Sequence, residues 1–204
     1  MTEYESYSIA TQLIVAFGTI VVAIIAIWGD FLRSVFAAPK LKISLFDKEG
    51  EPTQYSDGRN VRYYHLLIKN IRKWAPAKNV LVHVVSLEKP NPDGEWQKAM
   101  YSGHVPLVWQ FGDYYPGYPS IGRERICDLG RITENGVFEL KTLFRPNNFD
   151  GSVRRNQKIR VHLQAVSDNG HSNMLILEIA WDGNWSLEAK EMANHLVIKE
   201  LCAR

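Results

Sequence analysis

From Ser6 to Gly29 the chain carries no charged residue, and this stretch constrains the fold more than any other. Within it, Ile9 to Trp28 is almost continuously apolar: Leu13, Ile14, Val15 and Phe17, then Ile20, Val21, Val22, Ile24, Ile25 and Ile27. At about 1.5 Å per residue this run reaches about 30 Å, the thickness of a bilayer's hydrocarbon core. Tyr7 and Trp28 stand near its ends, where interfacial aromatics belong. Core helices of soluble proteins seldom run so far without a charge. The pattern therefore predicts a single transmembrane helix over about 9–28, with 1–38 forming the anchor and its juxtamembrane segment.

Flanking charge sets the expected sidedness. The N-terminal flank holds Glu3 and Glu5 and no Lys or Arg, whereas Arg33, Lys40 and Lys42 follow the span. The positive-inside rule then places the N-terminus outside and the rest of the chain in the cytosol, on a cell's inner (plasma) membrane. The alternative is a cleaved signal peptide, with Val35-Phe36-Ala37 before Ala38 as the cleavage site. An acidic leader and an overlong apolar run argue against it.

Gln12, Ala16, Thr19, Ala23, Ala26 and Asp30 recur at alternating spacings of four and three. These small or polar residues line one seam of a helix otherwise made of large aliphatics. Small seams let helices approach closely, and polar groups prefer a protein neighbour to lipid. The seam predicts a parallel homo-oligomer, with a narrow pore as its more ambitious version.

After Pro39 the period changes from helical to alternating. Lys40–Leu45, Arg62–Asn70, Asn79–Leu87, Pro106–Phe111, Arg123–Ile132, Val137–Phe144, Lys158–Val166, Met174–Trp181 and His195–Leu201 read as strands. Asp47 to Asn60 reads as a polar loop, Pro90–Gly94 as a turn cluster, and Asp168-Asn169-Gly170 as a hairpin. Ser186 is placed to cap a short helix over Leu187 to Asn194. The expected fold is mainly β: a sandwich or closed barrel of about eight or nine strands over 39–204, with one late helix. Strand–helix alternation is missing, which disfavours a doubly wound nucleotide fold.

Leu67-Ile68-Lys69-Asn70, then Ile71-Arg72-Lys73-Trp74-Ala75-Pro76, then Ala77-Lys78-Asn79-Val80-Leu81-Val82 resembles a hairpin of immunoglobulin-like sandwiches of the bacterial cell-adhesion-related type. There an Asn ends one strand and Ala-x-Asn-Val opens the next. Ile71 and Arg72 stand where those domains place a Gly. The likeness covers about sixteen of 204 residues, and it implies a scaffold or binding fold rather than a chemistry.

Catalytic and metal signatures are sparse. The six histidines form no H-x-x-H or H-E-x-x-H unit, Cys127 and Cys202 have no metal-type spacing, and no phosphate-binding glycine loop is present. No cofactor is expected, and an enzyme is the weakest class. A net charge of +2 disfavours duplex nucleic acid as a partner. The most suggestive region is an aromatic loop carrying Trp109, Phe111, Tyr114, Tyr115 and Tyr118, followed by Arg123 and Arg125. From Arg123 to Arg160 there are nine Lys or Arg against five Asp or Glu, including Arg131, Arg145 and Lys158. Aromatic faces beside arginine forks suit a small anionic, nucleotide-like ligand or a protein partner. The alternatives are structural cover for one end of the sandwich and a basic face toward lipid. Trp181-Asp182-Gly183-Asn184-Trp185 reads as a turn whose indoles pin the last helix.

The expected function is a membrane-anchored cytosolic binding module. Its specific version is an oligomeric sensor–effector, on the architectural plan of small bacterial antiviral membrane effectors. A passive scaffold that recruits a protein to the membrane, and an exported envelope or adhesion module, are the alternatives.

Overall fold

A computed structural model describes residues 3–99, 103–111, 118–134 and 136–201. The chain divides into two compact units, Met1–Ala38 and Pro39–Arg204. The first is one helix, α1, Glu3–Phe36. Its Ser6–Gly29 stretch is long and apolar enough to cross a membrane, and none of that stretch is buried within the chain. Thr11 and Thr19 donate their hydroxyls to the carbonyls of Tyr7 and Val15, so both polar groups are satisfied inside the helix.

The second unit is mainly β and consists of two antiparallel sheets. The first sheet holds β1 (Leu41–Leu45), β2 (Glu51–Gln54), β3 (Asn60–Asn70), β7 (Glu124–Thr133), β8 (Phe138–Leu140) and β9 (Ser152–Val153). β3 is central: it pairs β7 along one side and both β1 and β2 along the other. The second sheet holds β4 (Leu81–Pro90), β5 (Trp96–Lys98), β6 (Val105–Pro106), β10 (Gln157–Ser167), β11 (Gly170–His171), β12 (Leu175–Trp181) and β13 (Leu196–Leu201). Its backbone order is β13-β12-β10-β4-β5.

Alternation builds the core. Ile159, Val161, Leu163 and Ala165 of β10, Leu175, Leu177 and Ile179 of β12, and Val82, Val84 and Leu87 of β4 point inward from the second sheet. Tyr64, Leu66 and Ile68 of β3 and Cys127, Leu129 and Ile132 of β7 meet them from the first. Each fully buried aliphatic contributes roughly 2 kcal/mol. One segment is shared by both sheets. Val105 and Pro106 pair with β4, whereas Leu107 bridges Thr142 and Trp109 bridges Cys127 on the side of the first sheet. The two sheets are thereby stitched along that side.

Four expectations need correction. Asp47–Asn60 is not a continuous loop, because Glu51–Gln54 pairs with Asn60–Tyr63 across a tight turn. This strand is exposed on both faces, so it lacks the alternation that marks a buried one. Val137–Phe144 shortens to β8, and Pro106–Phe111 becomes β6 followed by isolated bridges. The late helix, α2, is Ala189–His195, with Glu188 rather than Ser186 at its N-cap and no side-chain cap bond. Ser186 instead accepts the Glu188 N–H and donates to Glu191. Met192 anchors α2 in the core.

The two ends of the β unit differ. At one end Asn70, 3% exposed, ties four segments together. Its Oδ1 accepts the N–H of Lys40 and of Arg72, and its Nδ2 donates to the carbonyls of Ala75 and Ile121. The Asp168-Asn169 turn joins the same end: Asp168 N–H donates to the Lys78 carbonyl, and Asn169 Nδ2 to that of Pro76. The Asn and Ala-x-Asn-Val of the sequence motif are thus a hydrogen-bonded knot, with Ala77 and Val80 fully buried and Asn79 at φ 52°. At the opposite end lie the start of β10, the end of β12 and α2.

Candidate functional site

The aromatic loop disperses in the folded chain. Trp109 is in the core, 7% exposed, and is no longer available to a ligand. Phe111 is exposed and held at φ 60°, and Tyr118, Arg123 and Arg125 are exposed on the Asn70 end. Tyr114 and Tyr115 lie outside the described residues, as do Cys202 and the side chain of Asp30. On α1 the seam residues Gln12, Ala16, Thr19, Ala23 and Ala26 are all exposed, and nothing within the chain covers them.

A cavity of about 600 Å³ is an open trough at the end opposite Asn70. β4 supplies Lys89 and Pro90, the β9–β10 turn and β10 supply Asn156, Gln157 and Lys158, and β12 supplies Trp181, which is largely buried in the core. Asp182, Asn194 and His195 close the other wall. Trp181 donates its indole N–H to the Asn184 carbonyl, which fixes the ring. Beside the trough Trp96 carries two cations over its ring, with Arg160 Cζ 3.9 Å and Lys158 Nζ 5.1 Å from the centroid. Arg160 is committed to Glu178 at 2.9 Å. Lys158 has no carboxylate within ion-pair distance among the described residues, and the same holds for Arg154 and Arg155 in the adjoining turn. This wall therefore carries unneutralised positive charge.

Two carboxylates near the trough are held ionised. Burial would raise the Asp150 pKa, but the Lys89 ammonium at 2.5 Å and the Ser152 hydroxyl overcome it and lower it to about 2. Burial also opposes ionisation of Asp182, yet the Asn184 N–H and His195 pull its pKa below the usual carboxylate range. His195 Nδ1 lies 2.7 Å from Asp182 Oδ2. An Asp–His pair is the orienting half of a nucleophilic relay. Among the described residues lining the trough there is no hydroxyl or thiol.

A second basic and aromatic region covers the outer face of the first sheet. Cavities of about 530 and 250 Å³ share Arg131 and Glu139. Arg59 and Arg131 sit over the Tyr55 ring at 5.5 and 5.9 Å. Burial opposes ionisation of Tyr63, but bonds to Tyr55 and Arg131 and the nearby Lys141 lower its pKa. The cations here are mostly neutralised: Arg59 by Asp57, Lys141 by Asp128 and Arg145 by Asp150. An incoming anion would have to displace these carboxylates, whereas Lys158 at the trough has no such partner among the described residues.

Two buried polar groups link separate segments, and the partners of neither are visible in the sequence. Arg62 is fully buried and donates to the carbonyls of Glu49, Gly50 and Leu187 at 2.9, 3.0 and 2.7 Å. It joins the β2 loop to the segment before α2. His65, 3% exposed, faces Asp128 at 3.0 Å through Nδ1 and Glu51 at 3.4 Å through Nε2. With both nitrogens engaged and the ring buried, it cross-links strands rather than meeting a substrate. Cys127 is buried, donates to the Val108 carbonyl, and has its thiol pKa raised by burial and by Asp128. It is thus a packing residue rather than a reactive thiol. Among the described residues no group of three His, Cys, Asp or Glu is arranged to hold a metal ion.

No protein family model, no curated protein sequence and no solved structure matches the chain.

Proposed function

We propose that this chain is a single-pass membrane protein whose β unit faces the cytosol and binds a small anionic ligand in the trough. The carrying observation is the uncharged Ser6–Gly29 helix, of which nothing is buried within the chain. Exposing so much apolar surface to water would be costly, and a bilayer removes that cost. Positive flanking charge after the span supports the cytosolic side. An immunoglobulin-like origin for the sandwich remains part of this proposal and rests on the Asn70–Val80 motif.

The trough supports the ligand class. Lys158, which has no carboxylate partner among the described residues, supplies positive charge, and Asn156, Gln157 and Asn194 supply directional hydrogen bonds. That combination suits a small anionic ligand such as a phosphorylated one. In the sensor–effector version, occupancy biases how the helices pack along Gln12, Ala16, Thr19, Ala23 and Ala26. A scaffold for a protein partner is the second reading, favoured by Phe111 and Tyr118, which stand exposed on the surface.

Reporter fusions after Arg204 test the topology. Activity of a cytosol-only reporter upholds the proposal, whereas an externally active reporter turns the β unit into an exported module. Thermal stabilisation by nucleotides, lost in Lys158→Gln, tests the trough.

A further inference from the structure

We infer that the Ile71–Trp74 turn is a second membrane contact, which dips Trp74 and Ile71 into an anionic leaflet and seats the β unit on the bilayer. This inference rests on the anchoring proposed above.

Trp74 is 74% exposed and Ile71 51%. Single exposed apolar side chains are ordinary, but an indole and a branched aliphatic on one four-residue turn are not. The turn is held in place. The Asn70 amide bonds the Ala75 carbonyl and accepts the Arg72 N–H, and Ala75 N–H donates to the Arg72 carbonyl. The apolar tips are therefore presented on a fixed support, and little ordering entropy is lost on immersion.

Position within the chain identifies the occupant. Ile71 N–H donates to the carbonyl of Lys40 at 2.8 Å, so the turn sits where the chain enters the β unit. Only Ala37, Ala38 and Pro39 separate Lys40 from the last residue of α1. Seven helical rises of about 1.5 Å and four extended residues of up to about 3.6 Å keep Lys40 within about 25 Å of the end of the apolar span, Gly29. Charge agrees as well: Lys73, Lys78 and Arg123 are exposed on the same end, beside the half-exposed ring of Tyr118. Tryptophan and tyrosine among lysines and arginines form the usual composition of a membrane–water interface. The trough lies at the far end of β10, so immersion of this end leaves it open to water.

The test uses the full chain in lipid nanodiscs containing phosphatidylserine, in a Cys202→Ser background where Cys127 is buried. An environment-sensitive dye is attached at Ile71→Cys, at Val21→Cys within the apolar span, or at Asp93→Cys in the turn at the far end. The expected result is a blue shift and quenching by spin-labelled lipid at positions 71 and 21, with a water-like spectrum at 93. Lys73→Gln should lower the immersed-to-free ratio at position 71 about fivefold, the effect of one interfacial charge. A water-like spectrum at 71 with quenching at 21 overturns the inference and leaves the anchor standing. Quenching at neither position overturns both. Quenching at 71 alone upholds the lipid contact and removes the anchor. An unchanged signal at 71 in discs of phosphatidylcholine alone overturns the anionic part of the inference.

Discussion

Replacing Asn70 with Ala should be among the most damaging single changes in the β unit. Its side chain makes four hydrogen bonds while only 3% exposed. Each neutral bond is worth about 1 kcal/mol net, and a buried carbonyl left without a partner costs about a further 1 kcal/mol. The Ile121 carbonyl keeps the Ala77 N–H, and Lys40 and Arg72 are not buried residues. The Ala75 carbonyl is buried and loses its side-chain donor. The loss then comes to about 3–4 kcal/mol, or roughly 10 °C in Tm for a unit of this size. Thermal and denaturant melts of the full chain in detergent, read at the β signal, measure it.

Asn70→Asp sharpens this test. It keeps the acceptor but sets a carboxylate against the Ala75 and Ile121 carbonyls. The folded pKa of that carboxyl is therefore raised above its unfolded value, and the protonated acid can donate one bond. Relative to the parent, the variant should regain stability as the pH falls through the folded pKa toward about 4, the unfolded value. A loss below about 1 kcal/mol in Asn70→Ala, or no pH dependence in Asn70→Asp, would refute the idea that this amide holds the entry end together.

Arg62→Met should cost about 3 kcal/mol in a denaturant melt, because three carbonyls lose a charged donor and the gain from removing a buried charge is smaller. Gly130→Ala should prevent a stable fold or lower Tm by more than about 5 °C, since a Cβ there would meet the Glu139 carbonyl at 2.5 Å and the Phe138 ring at 2.6 Å. Burial, and then His104, lower the His83 pKa. The unfolded chain therefore binds the proton more readily, and stability present above about pH 6.5 declines as the pH falls from there through the folded value. His83→Asn should flatten that slope in melts between pH 7 and 5, and an unchanged slope would assign it to another group.

How much was legible in the sequence follows from the range of each interaction. The apolar helix and the long strands announce themselves through local periodicity, because burial repeats every residue or two along one segment. β10 and β12 alternate so regularly that their inward faces are readable before any partner is known. β2 is equally a strand, yet it is polar on both faces and exists only because β3 offers it backbone partners. Arg62 lies in phase with Tyr64, Leu66 and Ile68, so its inward position was present in the pattern. What neutralises its cost, three carbonyls from distant segments, was not. The aromatic loop shows the converse error. Neighbours in sequence divided between the core, at Trp109, and the surface, at Phe111 and Tyr118. The trough was invisible because its walls come from β4, β10, β12 and α2, and only sheet register brings Lys89, Lys158 and His195 together.

By itself, then, the sequence determined an apolar helix of membrane length, a mainly β remainder and the Asn70–Val80 knot residues, all carried by patterns within one segment. Tertiary structure alone decided the two-sheet order, the strand shared between the sheets, the surviving free cations and the bare Ile71–Trp74 turn, because each depends on which distant segments neutralise or cover a given side chain.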